Sequence, residues 1–142
     1  MNRPNGNTAA IIVAAGNGSR MGGGIPKQYQ ILGGKAVLAH SFDAMMAHPD
    51  IAIVVVVIGL GQREQAQAAL AHSSRPLILV EGGAARQLSV RAGLEYLAEI
   101  GGVEHVLVHD AARPMLPARV IDDLLAALAA FEGAIPALPV TD

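Results

Sequence analysis

Short, unbroken apolar runs recur along this chain, and stretches with helical spacing separate them. Ala10-Ile11-Ile12-Val13-Ala14 is the first run, and 51–58 is the most β-branched. Further runs fall at 76–80 and 103–109, and a fifth begins within 133–140. A strand with one wet face alternates apolar and polar residues, so a continuous run implies cover on both faces. Helices are predicted between the runs. One spans 36–47, with Val37, Leu38, Ser41, Phe42 and Met45 at turn spacing and Pro49 closing it. Others span 62–72, then 85–100 with Leu88, Ala92, Leu94, Leu97 and Ala98 as its buried stripe, then 117–131. Pro117 suits a first turn, where its missing N–H costs nothing. Strand-helix alternation of this kind predicts an α/β fold: a Rossmann-like, doubly wound, mostly parallel sheet with helices on both faces.

Composition allows such a fold and narrows its partners. A chain of 142 residues is the size of one domain, and 52% hydrophobic against 15% charged residues excludes disorder. Ten Lys and Arg face twelve Asp and Glu, a net charge of −2. No general attraction to nucleic acid or an anionic membrane follows, so any anion must be held by a local cluster. The absence of cysteine excludes a disulfide scaffold, a thiolate zinc site and a Cys nucleophile, and fits a cytoplasmic location. Residues 1–8 are polar, carry Pro and Gly, and are expected to form a loose tail. The apolar run 9–15 is read as a first strand rather than a secretory signal, because it enters a glycine loop with no signal-like cleavage site. No apolar stretch approaches the 18 or so residues needed to span a membrane.

In doubly wound sheets, ligands bind beyond the carboxyl ends of the strands. Those positions here are 15–27, 59–63, 81–89 and 109–114, and three of them carry unusual chemistry. The first holds Ala14-Ala15-Gly16-Asn17-Gly18-Ser19-Arg20-Met21, followed by Pro26-Lys27-Gln28. Glycines let backbone N–H groups approach phosphate oxygens, while Arg20 offers a planar fork of donors and Lys27 a compact charge. The pattern is neither a dinucleotide fingerprint, since Met21 stands where glycine is needed, nor a Walker A loop, since Gly34-Lys35-Ala36 lacks the hydroxyl. The second holds Gly82-Gly83-Ala84-Ala85-Arg86-Gln87-Leu88-Ser89, where a glycine pair exposes backbone to a flat base and Ser89 adds a hydroxyl. A simple strand-to-helix turn explains that segment equally well. The third is His109-Asp110-Ala111-Ala112-Arg113-Pro114. Asp110 there suits Mg²⁺ or a ribose hydroxyl, or else caps the next helix, and Arg113 suits an anion or a solvated surface. The five histidines show no metal-ligand spacing, and His109 is read as shaping its loop.

Taken together, these three motifs closely resemble the 2-C-methyl-D-erythritol 4-phosphate cytidylyltransferase family of the non-mevalonate isoprenoid pathway. The resemblance runs in order from about residue 9 to 142, and Pro139-Val140-Thr141-Asp142 is similar to the family's Pro-Val-x-Asp-Thr element. It implies a fold of the nucleotide-diphospho-sugar transferase type and transfer of CMP from CTP to 2-C-methyl-D-erythritol 4-phosphate. Arg20 and Lys27 are then the catalytic cations on the triphosphate. Backbone from Ala14 and Ala15 through Gly16, Asn17, Gly18 and Ser19 wraps the nucleotide. Gly83 and Ser89 help read cytosine, Gly82 belongs to the same nucleotide-binding segment, and Arg86 supports their loop. Asp110 and Ala111 lie against the ribose and the metal-bound phosphate, with Asp110 a ligand of Mg²⁺. Arg113 lies near the acceptor phosphate. Ala84 replaces an acidic residue found in some relatives, and Asn17 and Ser19 replace bulkier or basic ones.

The family domain continues beyond residue 142. Residues 9–142 are therefore expected to be the nucleotide-binding portion of one truncated domain, from a monofunctional enzyme or from the N-terminal part of a bifunctional cytidylyltransferase/cyclodiphosphate synthase. The complete protein is expected to be a homodimer. Two rivals stand beside this reading. One is another nucleotidyltransferase of the same fold, such as a ribitol 5-phosphate cytidylyltransferase or a guanylyltransferase of molybdenum-cofactor synthesis. The other is a non-catalytic nucleotide-binding fragment.

Overall fold

The computed structural model of the protein describes residues 7–16 and 24–141. Its elements run β1 (Thr8–Ala14), a 3-10 turn (Lys27–Tyr29), β2 (Ile31–Leu32), β3 (Lys35–Ala36), α1 (Val37–Met46) and β4 (Ile51–Ile58). Then come α2 (Arg63–Ala69), β5 (Ile78–Glu81), α3 (Arg86–Ile100), β6 (His105–Asp110) and α4 (Ala118–Leu128). Four strands form one parallel sheet in the order β5-β4-β1-β6. The chain builds outward from β1 through β4 to β5, then crosses back to the free side of β1 to lay down β6. The order therefore reverses between β1 and β6, and such a reversal opens a crevice at the strand ends.

Side chains alternate across a strand, and here both faces are apolar. Ala10, Ile12, Val54, Val56 and Ile58 pack with Leu38, Phe42 and Met45 of α1, Ala66 of α2 and Ile121 of α4. Ala9, Ile11, Val55 and Val57 pack on the other face with Leu97 of α3. Ile11, Ile12, Val55, Val56 and Val57 are all fully buried. Each such side chain contributes about 1.5–3 kcal/mol of burial, which makes β1 and β4 a rigid platform for whatever stands at their ends. Helix α3 comes very close to that platform at Gly93, where a Cβ would stand 2.9 Å from the Ile11 side chain. That approach is what brings the first turn of α3 down to the end of β1.

Several sequence expectations are corrected. Asn7 and Thr8 are not part of a loose tail: β1 starts at Thr8, which is buried, and the Asn7 carbonyl accepts from the N–H groups of Glu104 and His105. In α3 the buried positions are Ser89, Gly93 and Leu97, whereas Leu88, Leu94 and Ala98 face water. The predicted apolar stripe holds at Leu97 but otherwise misses the buried face, because small Ser89 and Gly93 carry the close contact with the sheet. No strand forms over 133–140, which is exposed throughout and makes no sheet pairing among the described residues. Pro136 and Pro139 there lack the N–H a ladder requires. A short hairpin was also missed. Strands β2 and β3 pair antiparallel around Gly33 and Gly34, both at positive φ (59° and 88°), as a two-residue hairpin loop demands.

Candidate active site

The reversal of strand order opens a cleft of about 390 Å³. The end of β1 (Val13, Ala14, Ala15, Gly16) forms its floor. One wall comes from Gly83, Ala84, Ala85, Arg86 and Ser89, and the opposite wall from Asp110, Ala111, Ala112 and Arg113. Lys27 and Gln28 close a third side. Three strand-end segments thus meet around one volume. The fourth, at Gly59, Leu60 and Gln62, lines an adjoining cavity of about 300 Å³ with Ala15, Gly16, Gly83 and Ala84. Among the described residues the cleft presents three cations, Lys27, Arg86 and Arg113, against one carboxylate, in a chain of net charge −2. That is the local cationic cluster an anion would require.

Asp110 stands at the C-terminus of β6, facing the α3 side of the sheet. The guanidinium of Arg86 donates to its Oδ1 through Nε at 3.0 Å and Nη2 at 2.9 Å. Arg113 Nε lies 3.6 Å from Oδ2. Asp110 does not cap a helix, since Pro117 holds the N-cap of α4. The loop after it is fastened from behind. Ala111 N–H donates to Val13 O and extends the sheet ladder, Arg113 N–H closes a turn on Asp110 O, and His109 Nε2 donates to Arg113 O at 2.8 Å. Ser41, wholly buried on α1, shares its hydroxyl proton between Ala111 O (3.0 Å) and Arg113 O (3.1 Å).

On the opposite wall the two glycines are spatial necessities. A Cβ on Gly82 would stand 2.4 Å from Ser89 Oγ, 2.9 Å from Val57 Cγ1 and 3.0 Å from Ala15 Cβ. One on Gly83 would meet Leu88 Cβ at 2.5 Å. Ser89 itself is buried and borders the cleft. The compactness of this strand-to-helix turn fits β5, α3 and the floor of the cleft together. Gly16 differs, because a Cβ there would meet nothing within 4 Å among the described residues.

Beyond the cleft, Lys35 Nζ (2.6 Å) and His72 Nε2 (2.7 Å) both bond Asp43 on the outer side of α1. Partial burial pushes the Asp43 carboxyl up, and the hydrogen bonds and charges of Lys35 and His72 outweigh it, leaving the group below its usual value. Tyr29 is buried, and burial pushes its phenol up to about 12.

Of the residues singled out from sequence, Ala14, Ala15, Gly16, Lys27, Gly83, Arg86, Ser89, Asp110, Ala111 and Arg113 all line this cleft, and Gly82 packs directly behind it. Asn17, Gly18, Ser19 and Arg20 lie outside the described residues. Sequence reasoning missed Ser41, Gln28 and Gln62 as site-building residues. Ser41 had a signal, being a polar residue inside the apolar stripe of its helix. Among the described residues no group of three His, Cys, Asp or Glu could hold a metal ion by itself. No helix among them is long and apolar enough to cross a membrane.

Comparison with known proteins bears on this geometry. Residues 8–142 match the family model of 2-C-methyl-D-erythritol 4-phosphate cytidylyltransferase. A bifunctional enzyme IspD/IspF of Rhizorhabdus wittichii is 54% identical over 134 residues, which cover 94% of this chain and 34% of the relative. A 2-C-methyl-D-erythritol 4-phosphate cytidylyltransferase of Cereibacter sphaeroides is 48% identical over 135 residues, covering 95% of this chain and 60% of the relative. The chain thus spans about a third of the first relative and three-fifths of the second. A crystal structure of a 4-diphosphocytidyl-2C-methyl-D-erythritol synthase superposes with a TM-score of 0.76 at 32% identity, covering 100% of this chain and 62% of that one.

Proposed function

This chain belongs to the 2-C-methyl-D-erythritol 4-phosphate cytidylyltransferase family, and we propose that its strand-end cleft serves the transfer of CMP from CTP to 2-C-methyl-D-erythritol 4-phosphate. The products are pyrophosphate and 4-diphosphocytidyl-2-C-methyl-D-erythritol. A single observation supports this most: Lys27, Arg86, Arg113 and Asp110 converge on a glycine-lined cleft at the switch point of the sheet.

The chemistry suits the residues. An oxygen of the acceptor phosphate attacks the α-phosphorus of CTP, a new P–O bond forms, and the bond to the β-phosphate oxygen breaks with pyrophosphate taking the electron pair. A phosphate monoester has a second pKa near 6, so it is largely dianionic at neutral pH and needs no general base. Its approach to a triphosphate is opposed by charge, and preorganised cations offset that repulsion. In this reading Lys27 and Arg20 serve the triphosphate, with the backbone of Ala14, Ala15, Gly16, Asn17, Gly18 and Ser19 around it. Gly82, Gly83 and Ser89 flank the base, Asp110 and Ala111 the ribose, and Arg113 the acceptor phosphate.

Mg²⁺ fits here as a shared ligand. It is usually bound by one or two carboxylates plus substrate phosphates, and Asp110 would offer Oδ2, which Arg86 does not grip and which Arg113 Nε approaches only to 3.6 Å. Bound there, it would supply further charge neutralisation to the triphosphate. The reading includes a cytoplasmic enzyme whose complete form is a homodimer, which gel filtration checks.

The direct test is CTP-dependent pyrophosphate release with a panel of sugar and polyol phosphates. Selective turnover of methylerythritol phosphate is expected. Preference for ribitol 5-phosphate or for GTP would transfer the site to another member of the fold, and CTP binding with no turnover would make it a binding site only.

A further inference from the structure

Gln28 is only 5% exposed, yet its amide reaches the strand-end loop. Nε2 donates to Ala14 O at 2.9 Å and to Gly16 O at 2.6 Å. A carboxamide nitrogen has two N–H groups, and these two acceptors use both. They lie on either side of the point where β1 ends and the glycine segment begins. The neighbouring residue makes a second tie. Tyr29, also buried, donates its hydroxyl to Gln62 Oε1 at 3.3 Å, and the same oxygen accepts from Gly59 N–H at 3.1 Å. The 3-10 turn Lys27–Tyr29 is thereby fastened to the ends of β1 and β4 at once, while Lys27 is exposed on the cleft wall.

We propose that Gln28 is a positioning residue that holds the strand end Ala14–Gly16 and Lys27 at a fixed separation, so that both meet the triphosphate without rearrangement. This rests on the function proposed above. Lys27 carries its charge on a flexible four-carbon stem, so its backbone must be placed by something else. Gln28 is adjacent in the chain and bonded to the opposing loop, and it supplies that placement. Cations already in position stabilise a transition state more than cations that must be gathered during the reaction. A purely structural role, in which Gln28 only satisfies two carbonyls, makes a different prediction about a folded variant.

The test uses the full-length protein carrying Gln28→Glu or Gln28→Met. Both retain the approximate length of the side chain; Met has no donor, and a carboxyl donates only when protonated. In variants shown to be folded by near-ultraviolet circular dichroism, kcat at saturating CTP is expected to fall at least tenfold. The Glu variant is expected to recover part of that loss as pH falls, since a protonated carboxyl regains one donor. Amide hydrogen exchange without nucleotide is expected to speed up across 14–30 and to stay unchanged across β4 and α3. Folded variants with wild-type kcat and unchanged exchange over 14–30 would overturn the role of Gln28 alone. Wild-type protein that releases no pyrophosphate overturns the proposed function instead.

Discussion

The guanidinium of Arg86, at the first turn of α3, grips a single oxygen of Asp110, at the tip of β6, through two N–H groups at 2.9 and 3.0 Å. This pair bridges the two walls of the cleft. Both side chains are well exposed to water, so the bridge adds little to stability and its value is geometric. Lysine cannot reproduce a planar two-donor grip. Arg86→Lys is expected to leave the melting temperature unchanged and to lower kcat/KM for CTP about tenfold, roughly 1.4 kcal/mol. Steady-state kinetics beside a thermal melt decides it, and full activity would show the bridge to be incidental.

Lys27 is exposed on the cleft. Removing one preorganised charge from a transition state costs about 3–4 kcal/mol, or a few hundred-fold in rate. Lys27→Ala, and likewise Arg20→Ala, is expected to cut turnover on that scale in the complete enzyme with the fold intact. Near-normal turnover would sink the assignment.

Two glycines separate fold from function. At Gly82 an added methyl group collides with Ser89 Oγ at 2.4 Å and two further walls, whereas at Gly16 it meets no atom of the described residues within 4 Å. Overpacking of this kind costs about 1–3 kcal/mol. Gly82→Ala is expected to lower stability by that amount in a urea melt, and Gly16→Ala to leave it unchanged. Any loss of CTP affinity in Gly16→Ala would then report a lost approach of ligand to backbone.

Ser41 stands behind the acceptor wall, with one hydroxyl proton for two carbonyls. Ser41→Ala leaves both with one donor fewer and is expected to cost about 1 kcal/mol. Because Arg113 follows that loop, the acceptor KM is expected to rise more than the CTP KM. Equal effects on both would mean that the loop is not aimed by Ser41.

Asp43 titrates below its ordinary value in the folded protein, held there by Lys35 and His72 against the opposing effect of burial. A carboxyl with a depressed folded pKa contributes stability above its unfolded pKa of about 4, and loses it as pH falls through the folded value. Asp43→Asn is therefore expected to be less stable than wild type at pH 6 and to converge with it as the pH falls below the folded pKa of Asp43. A constant gap across that range in urea melts would contradict the linkage.

The apolar runs at 10–14 and 51–58 and the spaced Leu, Phe and Met of α1 were readable because periodicity is local. Strand-end chemistry was readable for the same reason: glycines, cations and Asp110 occur just where runs stop. The stripe of α3 was misread because burial there follows closeness of approach, which favours Ser89 and Gly93 over the larger Leu88 and Leu94. A strand over 133–140 was misread because a run of suitable residues forms a strand only with a neighbour to pair with. The β2–β3 hairpin was hidden by its length, two residues a side.

Sequence alone determined the α/β class, the order of the elements and the residue types that crowd the strand ends, since each depends on neighbours along the chain. Tertiary structure alone decided that β6 lies beside β1, so that residues 14–16, 83–89 and 110–113 share one cleft. It also decided that Gln28 and Ser41 point at carbonyls 12 to 72 positions away in the chain. Such bonds form between groups that only folding brings within 3 Å, and a buried polar side chain carries no mark in the sequence of which distant carbonyl will satisfy it.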